Sequence, residues 1–145
     1  MTNFRIMKND NIQNEIIEEF SMFDDWLDKY DYLISLSESL PMIDASKRNE
    51  KHLIEGCQSR VWVASELRDG KVIYTADSDA IITKGIIALL IRVMSGRSPQ
   101  EIANIDLYFI DEIGLGENLS PTRSNGLRAM VAQMKLDALI YTQQK

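Results

Sequence analysis

The chain has 145 residues, a formal net charge of −6, 45% hydrophobic residues, one Cys and one His. That length predicts one domain with a core large enough to fold without staples. The lone Cys excludes an intrachain disulfide, and with a single His it excludes a Cys/His zinc site within the chain; the acidic balance speaks against nucleic acid, because phosphate binding needs clustered Lys and Arg.

The start, Met1-Thr2-Asn3-Phe4-Arg5-Ile6-Met7, lacks the apolar run of a signal peptide. Ile12, Ile16, Ile17, Phe20 and Phe23 then recur at helical spacing, with Asp10 and Gln13 as a capping pair. After Asp24-Asp25 a second helix carries Trp26, Leu27, Tyr30, Leu33 and Ile34, and Pro41 closes the region. The acidic pairs Glu18-Glu19 and Asp24-Asp25 read as solvated helix surface. Residues 42–55 are polar and mixed, predicting loop or short irregular helix.

The period changes at Val61. Val61, Val63, Ser65 and Leu67 alternate with Trp62, Ala64, Glu66 and Arg68, and Asp69-Gly70 supplies a type I′ turn into a second strand over residues 71–76. A two-residue turn pairs Arg68 with Lys71, Leu67 with Val72, Ser65 with Tyr74 and Val63 with Ala76. One face of the hairpin then carries Val61, Val63, Leu67, Val72, Tyr74 and Ala76.

Asp79 is placed to cap a helix over residues 80–94, which is apolar on most sides and so belongs in the centre of the fold. Its strongest apolar stretch, residues 81–94, holds Lys84 and Arg92 and is too short to span a bilayer. Gly85 inside it costs about 1 kcal/mol relative to Ala, a cost usually offset by close packing on a neighbour. Gly96 ends the helix. Ser98-Pro99-Gln100-Glu101 starts another, and a short third strand is predicted around Ile105 to Tyr108. Ser120-Pro121 opens a last helix with Leu127, Met130, Val131, Met134 and Ala138 on one stripe. Met22, Met42, Met94, Met130 and Met134 are expected as core filler. The order of elements predicts an α+β fold, a small antiparallel sheet of about three strands packed against several helices. No repeat or linker divides residues 1–145.

Cys57 is the main chemical candidate. A free Cys is most often a small buried hydrophobe, but this one stands outside both strong apolar runs, in Glu55-Gly56-Cys57-Gln58-Ser59-Arg60 ahead of a strand. Gly56 opens backbone conformations closed to other residues. Gln58 and Ser59 offer donors, and Lys51, His52 and Arg60 supply positive charge that favours the thiolate. His52 is the one imidazole that a Cys-dependent hydrolase or transferase could use, although no orienting residue or oxyanion hole accompanies it. Asp77-Ser78-Asp79 reads as turn and cap rather than metal site, with Asp77 neutralising a nearby cation. Arg123 falls in a helix's first turn, where the helix dipole disfavours a cation; it reads either as a residue with an acidic partner or a docking role, or as an ordinary exposed Arg.

Three blocks resemble the SufE family of sulfur acceptors: Gly56-Cys57-Gln58-Ser59-Arg60-Val61-Trp62; Asp77-Ser78-Asp79-Ala80 with Lys84-Gly85 and Ala88; and Leu119-Ser120-Pro121 with Arg123-Ser124, Gly126-Leu127 and Ala129-Met130. The resemblance runs from about Ile12 to Met134. It implies the family's α+β fold, shared with an iron–sulfur scaffold family, and a cysteine on a loop at one end of the sheet.

The resemblance also implies a persulfide carrier. Cys57 would take sulfur from a cysteine desulfurase, stimulate it, and pass the sulfur to a cluster-building scaffold complex of the SufBCD type in the cytoplasm. Pyridoxal phosphate would belong to the desulfurase, leaving this chain without a cofactor or metal and with no membrane partner. Gly56, Gln58 and Ser59 would shape the loop, Asp79 would cap the buried helix and help to hold the loop, and Arg123 would contact the desulfurase or the loop. The carrier would shelter Cys57 among apolar residues at rest. The alternatives are a paralogous acceptor that serves another desulfurase, for instance toward RNA modification, and the hydrolase or transferase that uses His52. A cluster scaffold is disfavoured, since ordinary clusters need four thiolates.

Overall fold

Two aspartates start the N-terminal helices of the computed structural model, which describes residues 9–143. Asp10 accepts the Gln13 N–H at 3.0 Å to open α1 (Asn11–Ser21), and Asp25 accepts the Asp28 N–H at 2.9 Å to open α2 (Trp26–Leu36). The Met1 to Met7 stretch lies outside the described residues. Asp10 acts as a cap, but the side chain of Gln13 does not return to it. That side chain is buried, donates to the Asp106 carbonyl at 3.0 Å and accepts the Phe109 N–H at 3.1 Å. Glu19, expected as solvated surface, instead holds Arg92 at 2.6 Å and ties α1 to the central helix.

The hairpin has the predicted register. β1 (Val61–Arg68) and β2 (Lys71–Ser78) pair antiparallel with Val63 opposite Ala76, Ser65 opposite Tyr74 and Arg68 opposite Lys71. Asp69 and Gly70 both have positive φ, 53° and 77°, as a type I′ turn requires. Val61, Val63, Val72, Tyr74 and Ala76 are buried on one face, whereas Leu67 near the turn is 41% exposed. Both faces are covered near the strand ends away from the turn: Trp62 and Ala64 on the back pack with Ile43 and Leu53 from the irregular segment before β1. That segment holds two single turns, Ala45–Lys47 and Glu50–His52.

The third strand does not form, and among the described residues the sheet has two. Ile105 caps the end of a helix, its carbonyl accepts Lys135 Nζ at 2.7 Å, and the next carbonyl, of Asp106, accepts the Gln13 amide. Side chains from two helices thus satisfy backbone groups that a strand would have paired. The hairpin's edges are extended instead by single bridges, Met42 to Ala76, Leu53 to Trp62 and Val72 to Arg97.

Helix α3 (Ile81–Met94) is buried along most of its length and packs against both β2 and α2. Gly85 makes the α2 contact possible: a Cβ there would stand 2.1 Å from the Leu33 carbonyl oxygen. Ser98 and Glu101 form the predicted capping box on α4 (Pro99–Asn104), a short α5 (Phe109–Glu112) follows, and Ser120 caps α6 (Pro121–Thr142). Leu127, Met130, Met134 and Ala138 of α6 are buried, with Val131 half-buried beside them. Of the methionines read as core filler, Met94, Met130 and Met134 are buried, but Met22 and Met42 are exposed. Met22 caps the end of α1 at the corner before α2, and Met42 bridges Ala76 at the edge of the hairpin.

Candidate functional site

The loop that carries Cys57 is tied at both ends. The Ile54 N–H donates to the Val61 carbonyl at 2.8 Å, and Leu53 bridges Trp62, which closes the base of the loop against β1. At the far end, the Arg60 carbonyl accepts Ser78 Oγ at 2.7 Å and the Asp79 N–H at 3.2 Å, and Asp79 Oδ1 accepts the Arg60 N–H at 3.1 Å. Asp79 therefore does not cap α3. The helix begins at Ile81, so the N-cap position is Ala80, without a side-chain bond, and the Asp79 carboxylate one residue earlier is engaged with the loop.

Between these ties the loop lies on α6. Gly56 has φ +93°, a conformation that glycine alone adopts without strain, and a Cβ there would stand 3.3 Å from that of Ala129. The next residue, Cys57, turns its Sγ toward the Gly126 carbonyl at 3.7 Å. A Cβ on Gly126 would be 3.4 Å from that sulfur.

The thiol opens on a cavity of about 350 Å³. Its walls are Gln58 and Ser59 from the loop, Thr83 and Ile86 from α3, and Ser120, Thr122, Arg123, Gly126 and Met130 from the start of α6. Ile86 and Met130 are buried, so the cavity has an apolar floor and a hydroxyl-bearing rim. Arg123 is exposed at this rim, and among the described residues its guanidinium has no ion-pair partner. Thr83, Ile86, Gly126 and Met130 were not singled out as site residues from the sequence. The signal was helical spacing: Arg123, Gly126 and Met130 stand at i, i+3 and i+7, and Thr83 and Ile86 at i and i+3, so each set shares one face.

Cys57 is half-buried, and burial pushes its thiol above the ordinary value. This reverses the expectation that Lys51, His52 and Arg60 favour the thiolate. Lys51 and His52 face a separate cavity of about 240 Å³ with Gln133 and Asp137, and Arg60 is exposed with its backbone latched to Ser78 and Asp79. The His52 ring bonds Asn49 Oδ1 at 3.0 Å. The Cys57–His52 pair of a hydrolase is therefore not assembled.

Asp77 does neutralise cations, as expected. It is buried, with Arg48 Nε at 3.4 Å and Lys84 Nζ at 3.3 Å, and the Arg48 guanidinium lies 4.8 Å from the centre of the Trp62 ring. One carboxylate thus joins the segment that leads to the Cys57 loop, the end of β2 and the first turn of α3. Among the described residues, no group of three His, Cys, Asp or Glu could hold a metal ion, and no helix is long and apolar enough to cross a membrane.

Known proteins are similar to this chain in fold and in sequence. The fold is similar to the solution structure of a hypothetical protein from Thermus thermophilus, with a TM-score of 0.76 at 21% identity, over 92% of this chain and 97% of the other. The sequence is 38% identical over 132 residues to an uncharacterized SufE-like protein of Rhizobium etli, covering 88% of this chain and 89% of the relative. A second SufE-like protein, from Rhizobium meliloti strain 1021, is 35% identical over 130 residues, covering 86% and 93%. Residues 14–138 match the family described as "SufE: Fe-S metabolism associated domain". A match that runs from α1 into the last turns of α6, and takes in the loop, latch and cavity wall, is a match to the whole fold: the chain belongs to the SufE family and to iron–sulfur metabolism.

Proposed function

We propose that this protein is a sulfur carrier, in which Cys57 accepts sulfane sulfur from a persulfide on a cysteine desulfurase and gives it to the machinery that assembles iron–sulfur clusters. The observation that carries the reading is a single half-buried thiol on a tethered loop, opening on a cavity with room beyond the sulfur. The loss of the Cys57 proton gives a thiolate that attacks the outer sulfur of the donor persulfide. A new S–S bond forms on Cys57, the donor's S–S bond breaks, and the donor cysteine leaves as a thiolate that takes up a proton. No second Cys exists in the chain to attack the product. An internal disulfide is therefore impossible, and the sulfur can leave only to another molecule.

In this reading the chain is a covalent carrier and activator rather than a stand-alone enzyme. Pyridoxal phosphate belongs to the desulfurase, the downstream acceptor is a SufBCD-like scaffold complex, and the exchange takes place in the cytoplasm. Gly56, Gln58 and Ser59 shape the loop. Asp79 holds its end, and Arg123 meets the donor at the cavity rim.

The test is intact-mass analysis after mixing the protein with a cysteine desulfurase and cysteine. One added sulfur on the wild type, and none on Cys57→Ser, is the expected result; sulfur on Cys57→Ser would sink the proposal. Arg123→Ala should load severalfold more slowly while melting like the wild type, and an unchanged loading rate would remove Arg123 from the site.

A further inference from the structure

We infer that the corner between α1 and α2 is a second docking surface for the sulfur donor, fitting a patch of that protein in which Lys or Arg surround an apolar pocket. The inference rests on the sulfur-acceptor reading above and adds a contact away from Cys57.

Two large apolar side chains stand out here: Met22 is 73% exposed and Leu27 72%. Between them Phe23 and Trp26 are half-exposed. Single exposed apolar residues are ordinary, but four on one corner form a patch, and patches of this kind mark contact sites. The surrounding charge has one sign, with Asp24, Asp25, Asp28 and Asp31 all exposed. Over residues 9–44 the chain carries ten Asp and Glu against one Lys, and that residue, Lys29, lies over the Trp26 ring at 5.2 Å. An apolar centre with a charged rim is the ordinary anatomy of a protein interface, and here the rim calls for cations on the other side. A second copy of this chain would bring the same acidic corner and a further net charge of −6, so it is the wrong occupant.

The corner is also linked to the cavity. A Cβ on Gly114 would stand 3.9 Å from the Trp26 ring, and the Tyr30 hydroxyl donates to the Asn118 carbonyl. The Gly116 carbonyl accepts Ser124 Oγ at 2.9 Å. The segment over residues 114–118 therefore supports Trp26 on one side and leads directly into Ser120 and Arg123 of the cavity wall. A donor that reaches Cys57 past the cation of Arg123 would meet anions at the corner. Such a two-signed footprint fixes orientation and speeds association.

The test measures binding of the protein to the cysteine desulfurase that loads Cys57, by calorimetry at low and high salt. Asp24→Lys and Leu27→Ser change exposed side chains only and leave the Asp25 cap in place; Met22→Ser repeats the apolar test on the other helix. Each should raise Kd about tenfold, and Asp24→Lys should also flatten the salt dependence. Glu66→Lys, the same charge reversal near the turn of the hairpin, should stay within twofold, and every variant should reach full sulfur loading at saturating concentration. Corner variants that bind within twofold of a wild type that does load would overturn this inference and leave the carrier reading intact. A wild type that gains no sulfur from the desulfurase would overturn both.

Discussion

At the scale of single residues, the chemistry turns on how Cys57 is solvated. Sequence neighbours suggested a thiol activated by cations, yet burial dominates and holds the thiol above its ordinary value. Burial therefore favours the protonated thiol over the thiolate, which is the reactive form. Alkylation by iodoacetamide should rise with pH, with a midpoint above the value of about 8.5 for a free thiol, and denaturant should bring the midpoint back down. A native midpoint below that of the unfolded chain would mean that nearby cations outweigh burial. If Cys57 accepts sulfur as proposed, a docked donor would have to raise the thiolate fraction itself, by moving the loop or by bringing positive charge.

At the scale of elements, α3 is the piece on which the site depends. It is apolar on most sides because it packs against the hairpin and α2 together, and its first turns supply Thr83 and Ile86 to the cavity. The need for Gly85 to pack closely was legible from the sequence, because a glycine in an otherwise strong helix needs compensation. Its neighbour, the Leu33 carbonyl, was not, since no local pattern says which helix lies alongside. Gly85→Ala would place a methyl group 2.1 Å from that oxygen. It should lower stability by about 3 kcal/mol or more in urea denaturation, at the upper end of overpacking costs. An effect below about 1 kcal/mol would mean that α2 and α3 separate easily. The Asp79 cap failed for a related reason. The helix starts one residue later than the local pattern indicates, with Ala80 at the N-cap position, and the Asp79 carboxylate ties the loop at Arg60 instead.

At the scale of the whole molecule, a two-stranded hairpin is a marginal sheet by itself. It is held here by what surrounds it: α3 on one face, the 42–53 segment on the other, and the ion cluster of Asp77, Arg48 and Lys84 where three segments meet. Asp77→Asn should cost about 2 kcal/mol in chemical denaturation, less than breaking a fully buried pair because Arg48 and Lys84 both reach water. It should also speed Cys57 alkylation, because Arg48 helps to hold the segment that leads into the loop. Unchanged stability and alkylation would show that the cluster carries no weight.

The amino-acid sequence by itself determined the local structure: the caps of Asp10, Ser98 and Ser120, the type I′ turn at Asp69-Gly70, and the strand register that follows from it. These depend on interactions within a few residues, so they can be read from spacing. It also determined the candidate nucleophile, because only one thiol exists and its neighbours form a recognisable block. Tertiary structure decided what surrounds that thiol. Residues 69 positions apart, Cys57 and Gly126, meet at the cavity, whereas Lys51 and His52, close in the chain, turn to another. It likewise replaced the third strand, since Gln13 and Lys135 come from distant helices to satisfy those carbonyls. Burial, which pushes the thiol above its ordinary value, is a property of what packs around an atom rather than of what precedes it in the chain.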